Sequence, residues 1–277
     1  PGLFLSLRQA RHCLALETLA PERAASLTTR LRQLESDVGA VRRRAIDGPP
    51  FASRELESAT IQPRALARLA ASSLATFCVS ASAPEIAVTY DDGPHPVHTP
   101  RILDVLAEHN THATFFVLAQ PAAAHPEIVR RIVDDGHELA LHGPDHQSLL
   151  ERSTQEAVQA VTASRTLVED VAGVPLRFYR PPYGQHTPAQ ARAIHRSGLD
   201  LVAWSGDPRD WVDDTESNIV DRAIGQVFPG AILLLHDDRA DPHTLGHGER
   251  LPAFDRAKVL DDLLSRALVF GGVLGRQ

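Results

Sequence analysis

The alternation of short apolar runs with amphipathic segments, sustained from about residue 84 to near the end of the chain, constrains the fold more than any other feature. The predicted strands are Ile86–Tyr90, Ala113–Val117, Glu138–Leu141, Phe178–Arg180, Leu201–Ser205 and Ala231–His236. The predicted helices cover residues 99–109, 125–135, 153–172, 187–196, 215–227 and 255–268. Such alternation indicates parallel strands covered by helices, in a barrel or a doubly wound sheet.

The first 80 residues have a different pattern, which predicts helices. A heptad-like stripe runs through an arginine- and glutamate-rich segment, with apolar side chains at Leu27, Leu31, Leu34, Val38 and Val41. A glycine- and proline-rich run at 47–50 ends this helix, and a second helix is predicted after residue 63. We therefore expect a helical N-terminal region at 1–80 and an α/β domain at 81–277. The stripe packs on its own domain or joins two chains in a homo-oligomer.

Charge and hydropathy argue against two classes of partner. The net charge of −7 provides no basic surface for nucleic acid. No apolar run reaches the roughly 18 residues that a membrane-spanning helix needs. The sequence has no initial methionine and no signal segment, so we expect a cytoplasmic protein as written, or a secreted or cell-wall-facing one if a leader has been removed.

Polar residues collect where five of the predicted strands end. Because parallel strands bring their carboxyl ends to one rim, these residues are expected to meet where α/β folds place their active sites. In chain order the groups are Asp91 and Asp92; His142 and His146; Arg180 and Tyr183; Asp207, Asp210 and Trp211; and His236 and Asp237.

The pair Asp91-Asp92, followed by Gly93-Pro94, fits either a turn or a site. Asp-Gly and Gly-Pro are common turn dipeptides, whereas two carboxylates at a strand end indicate metal or acid–base chemistry. Since side chains alternate along a strand, the two aspartates are expected to point in different directions and to have different roles.

The histidines His142 and His146 lie four residues apart, and the glycine–proline pair between them indicates a tight loop. Such a loop can direct both imidazoles at one point. Two histidines and one carboxylate, from Asp91 or Asp92, leave open positions on a divalent ion and suit a catalytic Zn²⁺ site. The alternative interpretation is a pair of surface histidines at a loop.

Five segments, taken in order, resemble the motifs of polysaccharide deacetylases, which form carbohydrate esterase family 4 and contain the NodB-homology domain. The segments are Thr89–Pro94, His142–His146, Arg180–Gly184, Asp207–Trp211 and Leu233–His236. The resemblance covers residues 84–270 approximately. It implies a distorted (β/α) barrel of about seven parallel strands, and metal-dependent hydrolysis of the N-acetyl group of an N-acetylated amino sugar, with release of acetate.

The resemblance also implies roles for individual residues. Asp91 corresponds to the general base, and His236 corresponds to the general acid. The metal ligands correspond to Asp92, His142 and His146. One divalent ion is implied, with zinc expected and cobalt or nickel as alternatives.

Four further positions correspond to residues that position the base or contact the substrate. Arg180 is expected to hold the base in place and to pair with Asp210. The backbone N–H of Tyr183 is expected to bind the oxyanion, and Trp211 to wall the acyl pocket unless it is ordinary core. The last motif supplies an apolar wall, from either Leu233 or Leu235.

Two positions depart from the family pattern, and two other functions stay open. Tyr90 replaces a more usual phenylalanine, and Gly143 stands where a serine or threonine is usual, which removes a hydroxyl able to steady the loop. The same site could hydrolyse a non-sugar amide or a cyclic imide. A barrel that binds glycans without turnover is the alternative from another class. The expected substrate is an oligosaccharide, a polysaccharide or a small glycosylated metabolite.

Overall fold

The computed structural model describes residues 75–79, 85–228, 230–241 and 250–267. The strands in these ranges are β1 (Ala75–Thr76), β2 (Ala87–Asp91), β3 (Thr114–Leu118), β4 (Glu138–Gly143), β5 (Phe178–Tyr179), β6 (Asp200–Val202) and β7 (Ile232–His236). The helices are α1 (His98–Glu108), α2 (Ala119–Ala124), α3 (Pro126–Asp134), α4 (Thr154–Ala172), α5 (Pro188–Arg196), α6 (Glu216–Ile224) and α7 (Arg256–Ala267). Two 3-10 turns, Leu149–Glu151 and Pro182–Gly184, complete the regular elements of these ranges.

The seven strands form one sheet in the order β1-β6-β5-β4-β3-β2-β7, and every neighbouring pair is parallel. Bridges join the two ends of this order. Gly206, just after β6, pairs with Leu233 of β7, and Cys78, just after β1, pairs with Ala231. The sheet is therefore curled on itself, which confirms the predicted distorted barrel of about seven parallel strands.

The curled sheet buries a different apolar cluster on each face. The larger cluster lies between the strands and the helices and includes Phe115 and Leu233. The smaller cluster lies on the other face, inside the curl, and includes Phe116 and Leu234. Neighbours in sequence fall into different clusters because successive side chains of a strand point to opposite faces. Side chains on the inner face of β2, β4 and β7 lead directly to the polar rim.

Two observed elements were not predicted from the sequence. β1 has two residues and lies within the region expected to be helical, so the sheet includes residues on the N-terminal side of the predicted boundary at 80. Two residues are too short a run for a recognisable period. α2 has the sequence AQPAAA, which has no amphipathic pattern, and its proline is tolerated because it lies in the first turn. The heptad-like stripe and the helix after residue 63 lie outside the described residues.

Helix ends follow local chemistry at some positions and tertiary contacts at others. Thr187 caps α5 in a reciprocal capping box with Gln190, as the Thr-Pro sequence predicts. The same sequence at Thr99 predicts a cap, but α1 begins one residue earlier, and the Thr99 hydroxyl donates to the carboxylate of Asp237 instead. None of the described helices has the length and hydropathy to cross a membrane.

Candidate active site

The two aspartates at the end of β2 converge on one point. Asp91 ends the strand on its inner face, where strand geometry alone would direct Asp92 away. However, Asp92 has a φ of 78°, in the left-handed region, which turns its side chain back toward the inner face. The Nε2 atom of His142 lies 3.7 Å from Asp91 Oδ2 and 3.4 Å from Asp92 Oδ1. The expectation that the neighbours diverge is therefore wrong here, although they keep different partners.

The glycine after this pair is required by close packing. A Cβ atom on Gly93 would lie 2.1 Å from Oδ2 of Asp237, a buried carboxylate that follows β7. Asp237 also accepts the hydrogen bond from Thr99, at 2.5 Å. Burial raises the pKa of Asp237 to about 7. The turn interpretation of Gly93 is thus compatible with the site interpretation, because the turn packs against the neighbouring strand end.

Asp92, His142 and His146 form a group that can hold a metal ion. One ligand atom from each residue lies within 4.8 Å of the others, and His146 Nε2 is 3.3 Å from Asp92 Oδ1. The Oδ1 atom of Asp92 is buried and has no hydrogen-bond partner among the described residues, so a cation between the three side chains would satisfy it. Two imidazoles and a carboxylate fit a divalent ion such as zinc. Among the described residues, no other group has this arrangement.

The electrostatics of the group favour an ionised carboxylate. Burial alone would raise the pKa of Asp92, but the neighbouring imidazoles of His142 and His146 hold it well below its usual range. Each imidazole also uses its second nitrogen. His142 Nδ1 donates to the backbone carbonyl of Arg180 at 2.7 Å, and His146 Nδ1 donates to the Asp241 carboxylate. Both Nε2 atoms are thereby directed at the metal position.

The backbone between the two histidines explains one departure from the family pattern. Gly143 ends β4 with a φ of 125°, a conformation that other residues rarely adopt. A Cβ atom there would also lie 3.2 Å from the carbonyl oxygen of Asp145. A serine or threonine would be strained at this position. Glycine therefore permits the backbone conformation that begins the loop, but it provides no side chain to stabilise the loop.

Arg180 is fully buried inside the curl, and its partner is Asp91. Its Nη1 donates to Asp91 Oδ1 at 2.5 Å and to the Thr89 hydroxyl at 2.8 Å. Its Nε and Nη2 donate to the carbonyls of Val202 and Ala203, so donors on all three guanidinium nitrogens have partners. Burial lowers the pKa of Arg180, and Asp91 opposes that shift. The predicted support of the base by Arg180 is consistent with this geometry.

The predicted pairing of Arg180 with Asp210 is wrong, because Asp210 binds His236 instead. Asp210 Oδ1 accepts from His236 Nδ1 at 2.7 Å, and its Oδ2 accepts from the His236 backbone N–H at 2.8 Å. Arg256, at the start of α7, donates to the His236 carbonyl at 2.7 Å and lies 3.4 Å from Asp210 Oδ2. Burial would lower the pKa of His236, but Asp210 outweighs it and raises the pKa to about 9.

The residues expected to contact substrate occupy different environments. Tyr183 is 40% exposed and has a φ of 57°; its ring centroid is 4.3 Å from that of His146, and its hydroxyl donates to Asp241. Trp211 is half-buried, with the guanidinium carbons of Arg209 and Arg239 lying 4.9 Å and 5.7 Å from its ring centroid. The oxyanion role of the Tyr183 N–H and the pocket role of Trp211 stay predictions.

The apolar wall was assigned to the wrong face of β7. Leu233 and Leu235 are buried in the cluster beneath the helices. Leu234 is in the inner cluster and shares the face of His236, which lies two residues further along the strand. Three consecutive leucines provide no alternation from which the face could be identified. Leu234 is therefore the leucine of this motif that faces the inside of the curl.

Four residues that contact the site were given no individual role from the sequence, although Asp237 was noted at the end of its strand and Thr89 lies in the first motif. Each contacts a partner that is remote along the chain, so no local motif indicates the contact. They are Thr89, which binds Arg180; Asp237, which packs on Gly93; Asp241, which binds His146; and Arg256, which binds His236.

Similarity to known proteins agrees with this arrangement. Residues 79–202 match the family described as polysaccharide deacetylase. The chain is 41% identical over 156 residues to a chitooligosaccharide deacetylase of Sinorhizobium fredii, a match that spans 56% of this chain and 73% of the relative.

Two solved structures extend the similarity to the fold. The peptidoglycan deacetylase PdaC from Bacillus subtilis superposes with a TM-score of 0.61 at 30% identity, over 71% of this chain and 89% of that one. A family 4 acetyl xylan esterase from Clostridium thermocellum, in complex with a cobalt ion, gives 0.60 at 27% identity, over 69% and 87%. On its motifs, its curled sheet and these similarities, the chain belongs to the polysaccharide deacetylase family, carbohydrate esterase family 4.

Proposed function

We propose that this chain is a metal-dependent deacetylase that hydrolyses the N-acetyl group of an N-acetylated amino sugar and releases acetate. The observation that carries the proposal is the meeting of the Asp92, His142 and His146 group with the Asp91–Arg180 pair at one rim. These are a metal-ligand set and a separately held carboxylate, as hydrolysis of an amide requires. The names of the similar proteins support a sugar substrate, since one acts on chitooligosaccharides and another on peptidoglycan.

A divalent ion, with zinc proposed, would be held by Asp92, His142 and His146. When bound, such an ion supplies Lewis-acid chemistry, because it polarises the amide carbonyl and makes a water molecule easier to deprotonate. The cobalt ion in the similar acetyl xylan esterase supports a divalent cation as the cofactor. The protein itself fixes the directions of the three ligand atoms.

Asp91 would act as the general base. Its Oδ1 is occupied by Arg180 at 2.5 Å, whereas its Oδ2 is directed toward the metal ligands, 3.7 Å from His142 Nε2. Oδ2 is therefore the atom that would accept a proton from the attacking water. Arg180 is held by four further protein atoms or groups, so the carboxylate is presented in one orientation.

His236 would act as the general acid. Its Nδ1 is engaged by Asp210, so Nε2 remains as the atom that would donate to the leaving nitrogen. A pKa of about 9 keeps the imidazole protonated at neutral pH. In the net reaction the C–N bond breaks, water supplies one oxygen of acetate while the amide carbonyl supplies the other, and the sugar amine departs with the donated proton.

The acetyl group and the sugar would meet different surfaces. The inner face of β7 presents Leu234 beside His236, an apolar neighbour for a methyl group. The exposed ring of Tyr183, which packs against His146, supplies an aromatic surface for a sugar ring. Among the described residues Tyr183 is the only tyrosine, tryptophan or phenylalanine with an exposed side chain, which supports a short binding site for an oligosaccharide or for the end of a chain.

The proposal is tested by acetate release from a panel of substrates with metal-loaded protein. The panel contains N-acetylated chitooligosaccharides, peptidoglycan fragments, a simple N-acetyl amide and a cyclic imide. We expect acetate from at least one sugar substrate, loss of activity on chelation, and recovery on adding Zn²⁺ or Co²⁺. Activity only on the simple amide or the cyclic imide would contradict a sugar substrate and would support hydrolysis of a non-sugar substrate. Sugar binding with no turnover at full metal loading would support the inactive glycan-binding barrel.

A further inference from the structure

We propose that Asp241 is a positioning residue for the metal site, which orients His146 and connects it to the exposed ring of Tyr183. Asp241 lies in the segment after β7, far from His146 along the chain. The inference rests on the proposed function only in taking His146 as a metal ligand. It assigns a role to a carboxylate that lies outside the five motifs.

The first observation concerns the two nitrogens of His146. Its Nε2 is 3.3 Å from Asp92 Oδ1, on the side where a cation would sit. Its Nδ1 meets the Oδ2 atom of Asp241. An imidazole that donates from Nδ1 to a carboxylate keeps the lone pair of Nε2 for a metal, and its ring cannot rotate without losing that bond. The negative charge also makes the imidazole a stronger ligand.

The second observation is the contrast with His142. His142 is buried at the end of β4, and its Nδ1 donates to a backbone carbonyl, that of Arg180. His146 lies beyond the strand, in the loop that follows Gly143, a residue with no side chain that could steady the loop. The strand fixes one histidine through main-chain geometry. The other depends on a carboxylate supplied by a different part of the fold.

The third observation is that Asp241 has a second partner at the site. The Tyr183 hydroxyl donates to the same Oδ2 atom, and the Tyr183 ring packs on the His146 ring with centroids 4.3 Å apart. Asp241 therefore holds a metal ligand and a substrate-facing aromatic in one arrangement. Its loss should weaken metal binding, and it should also raise KM for a sugar substrate.

The test is Zn²⁺ affinity of metal-free protein, measured by competition with a chromophoric chelator and without substrate. The variants are Asp241→Ala, Asp241→Asn, Tyr183→Phe and His146→Ala. Glu108→Gln, an exposed position on α1, is the control for the same change in charge. Thermal unfolding of each metal-free variant reports on folding, and the Co²⁺ absorption spectrum reports on the ligand geometry.

We expect Asp241→Ala to lower Zn²⁺ affinity by about 10- to 100-fold, the usual effect of losing a partner that orients a ligand. Asp241→Asn should lose less, because its amide oxygen can still accept from Nδ1 but has no charge. Tyr183→Phe keeps the ring and should leave Zn²⁺ affinity near that of the wild type, as should Glu108→Gln. The Co²⁺ spectrum should change in the Asp241 variants and not in Glu108→Gln.

The outcomes separate this inference from the proposed function. If His146→Ala loses Zn²⁺ binding while both Asp241 variants bind as tightly as the wild type, the positioning role is overturned and the metal site stands. If His146→Ala also binds Zn²⁺ normally, the metal site and the proposed function fail together. If Asp241→Ala does not fold, the affinity and spectrum of Asp241→Asn decide the question.

Discussion

The two sides of the active site are built in different ways. On the strand side, Asp91, His142 and Arg180 lie on the inner faces or at the ends of β2, β4 and β5, and main-chain carbonyls accept from His142 and Arg180. On the loop side, two histidines, one at the end of β7 and one in the loop after β4, rely on carboxylates that come from distant loops, in the pairs Asp210–His236 and Asp241–His146. The strand side is held by main-chain carbonyls and by the buried Asp91–Arg180 pair within the sheet, whereas the histidines of the loop side are held by carboxylates from loops. Substitutions on the strand side should therefore affect stability as well as chemistry, whereas those on the loop side should mainly affect the chemistry.

The largest expected effect is that of removing the base on the strand side. Asp91→Asn keeps the shape of the side chain and removes its ability to take a proton, so acetate release should fall by about 10²- to 10⁴-fold. Zn²⁺ content should stay near one ion per chain, because the proposed ligands are intact. Kinetics and metal analysis of the same sample check both statements. Full activity in Asp91→Asn would require another base.

Arg180→Met tests whether the strand side carries stability as well as chemistry. The substitution leaves Asp91 buried without its cationic partner, which should cost about 3–5 kcal/mol of unfolding free energy. The matched control is Arg177→Met, which removes an exposed arginine paired with Glu138 at 2.9 Å and should cost at most about 1 kcal/mol. Denaturant unfolding of both variants makes the comparison. Equal losses would mean that burial does not distinguish the two ion pairs.

Asp210→Asn tests the loop side through the pH dependence of the acid. A pKa of about 9 for His236 means that activity is retained through neutral pH and falls as the pH rises through about 9. Without the Asp210 charge, that pKa should drop toward or below its ordinary value of 6.5, so the alkaline limb moves to lower pH.

At pH 8 this shift should lower activity by roughly thirtyfold, from the fall in the protonated fraction. The kcat/KM profiles of the wild type and Asp210→Asn are compared at equal metal loading, with Glu108→Gln as the charge control. An unmoved alkaline limb would show that His236 does not supply the proton.

The smallest expected effect is that of Thr89→Val, which removes one hydroxyl from the strand side. Thr89 Oγ1 accepts from Arg180 and donates to the Leu233 carbonyl at 2.8 Å. Its replacement by an isosteric apolar side chain should cost about 1–3 kcal/mol of unfolding free energy, because the buried Nη1 of Arg180 loses one of its two acceptors. Arg180 keeps its bond to Asp91, so activity of the folded variant should change much less than in Asp91→Asn. A loss of activity as large as that of Asp91→Asn would place Thr89 in the chemistry.

The sequence was informative wherever a strand and its polar end formed one continuous segment. The strand–helix alternation predicted a parallel sheet covered by helices, and the ends of β2 and β4 predicted a metal site formed by His142, His146 and one of the two aspartates. Each of those signals depends on neighbours along the chain. Hydrophobic periodicity predicts the strands and helices, and turn-forming residues predict where each of them ends.

The sequence was less informative about partners and faces. Asp210 was paired with Arg180 and not with His236, because the order of the motifs does not show which charged groups at the rim contact each other. Leu234 was missed because a run of identical leucines carries no alternation. The convergence of Asp91 and Asp92 depends on the left-handed backbone conformation of Asp92. An aspartate can adopt this conformation, but its presence in the sequence does not predict it.

The pairing of β2 on both its sides has a consequence for how the molecule is assembled. β2 is hydrogen-bonded to β3, the next strand along the chain, and to β7, the last. Asp92, His142 and His146 all lie between β2 and the loop after β4, whereas His236 ends β7. Since domains emerge from the ribosome from their N-terminal side, the ligands of the metal are synthesised well before the acid. Closing β2 against β7 is a contact of long sequence separation and is therefore expected to form late. The residues that would bind the metal ion are therefore synthesised first. His236, the proposed general acid, is synthesised later, with β7, the strand that closes the sheet.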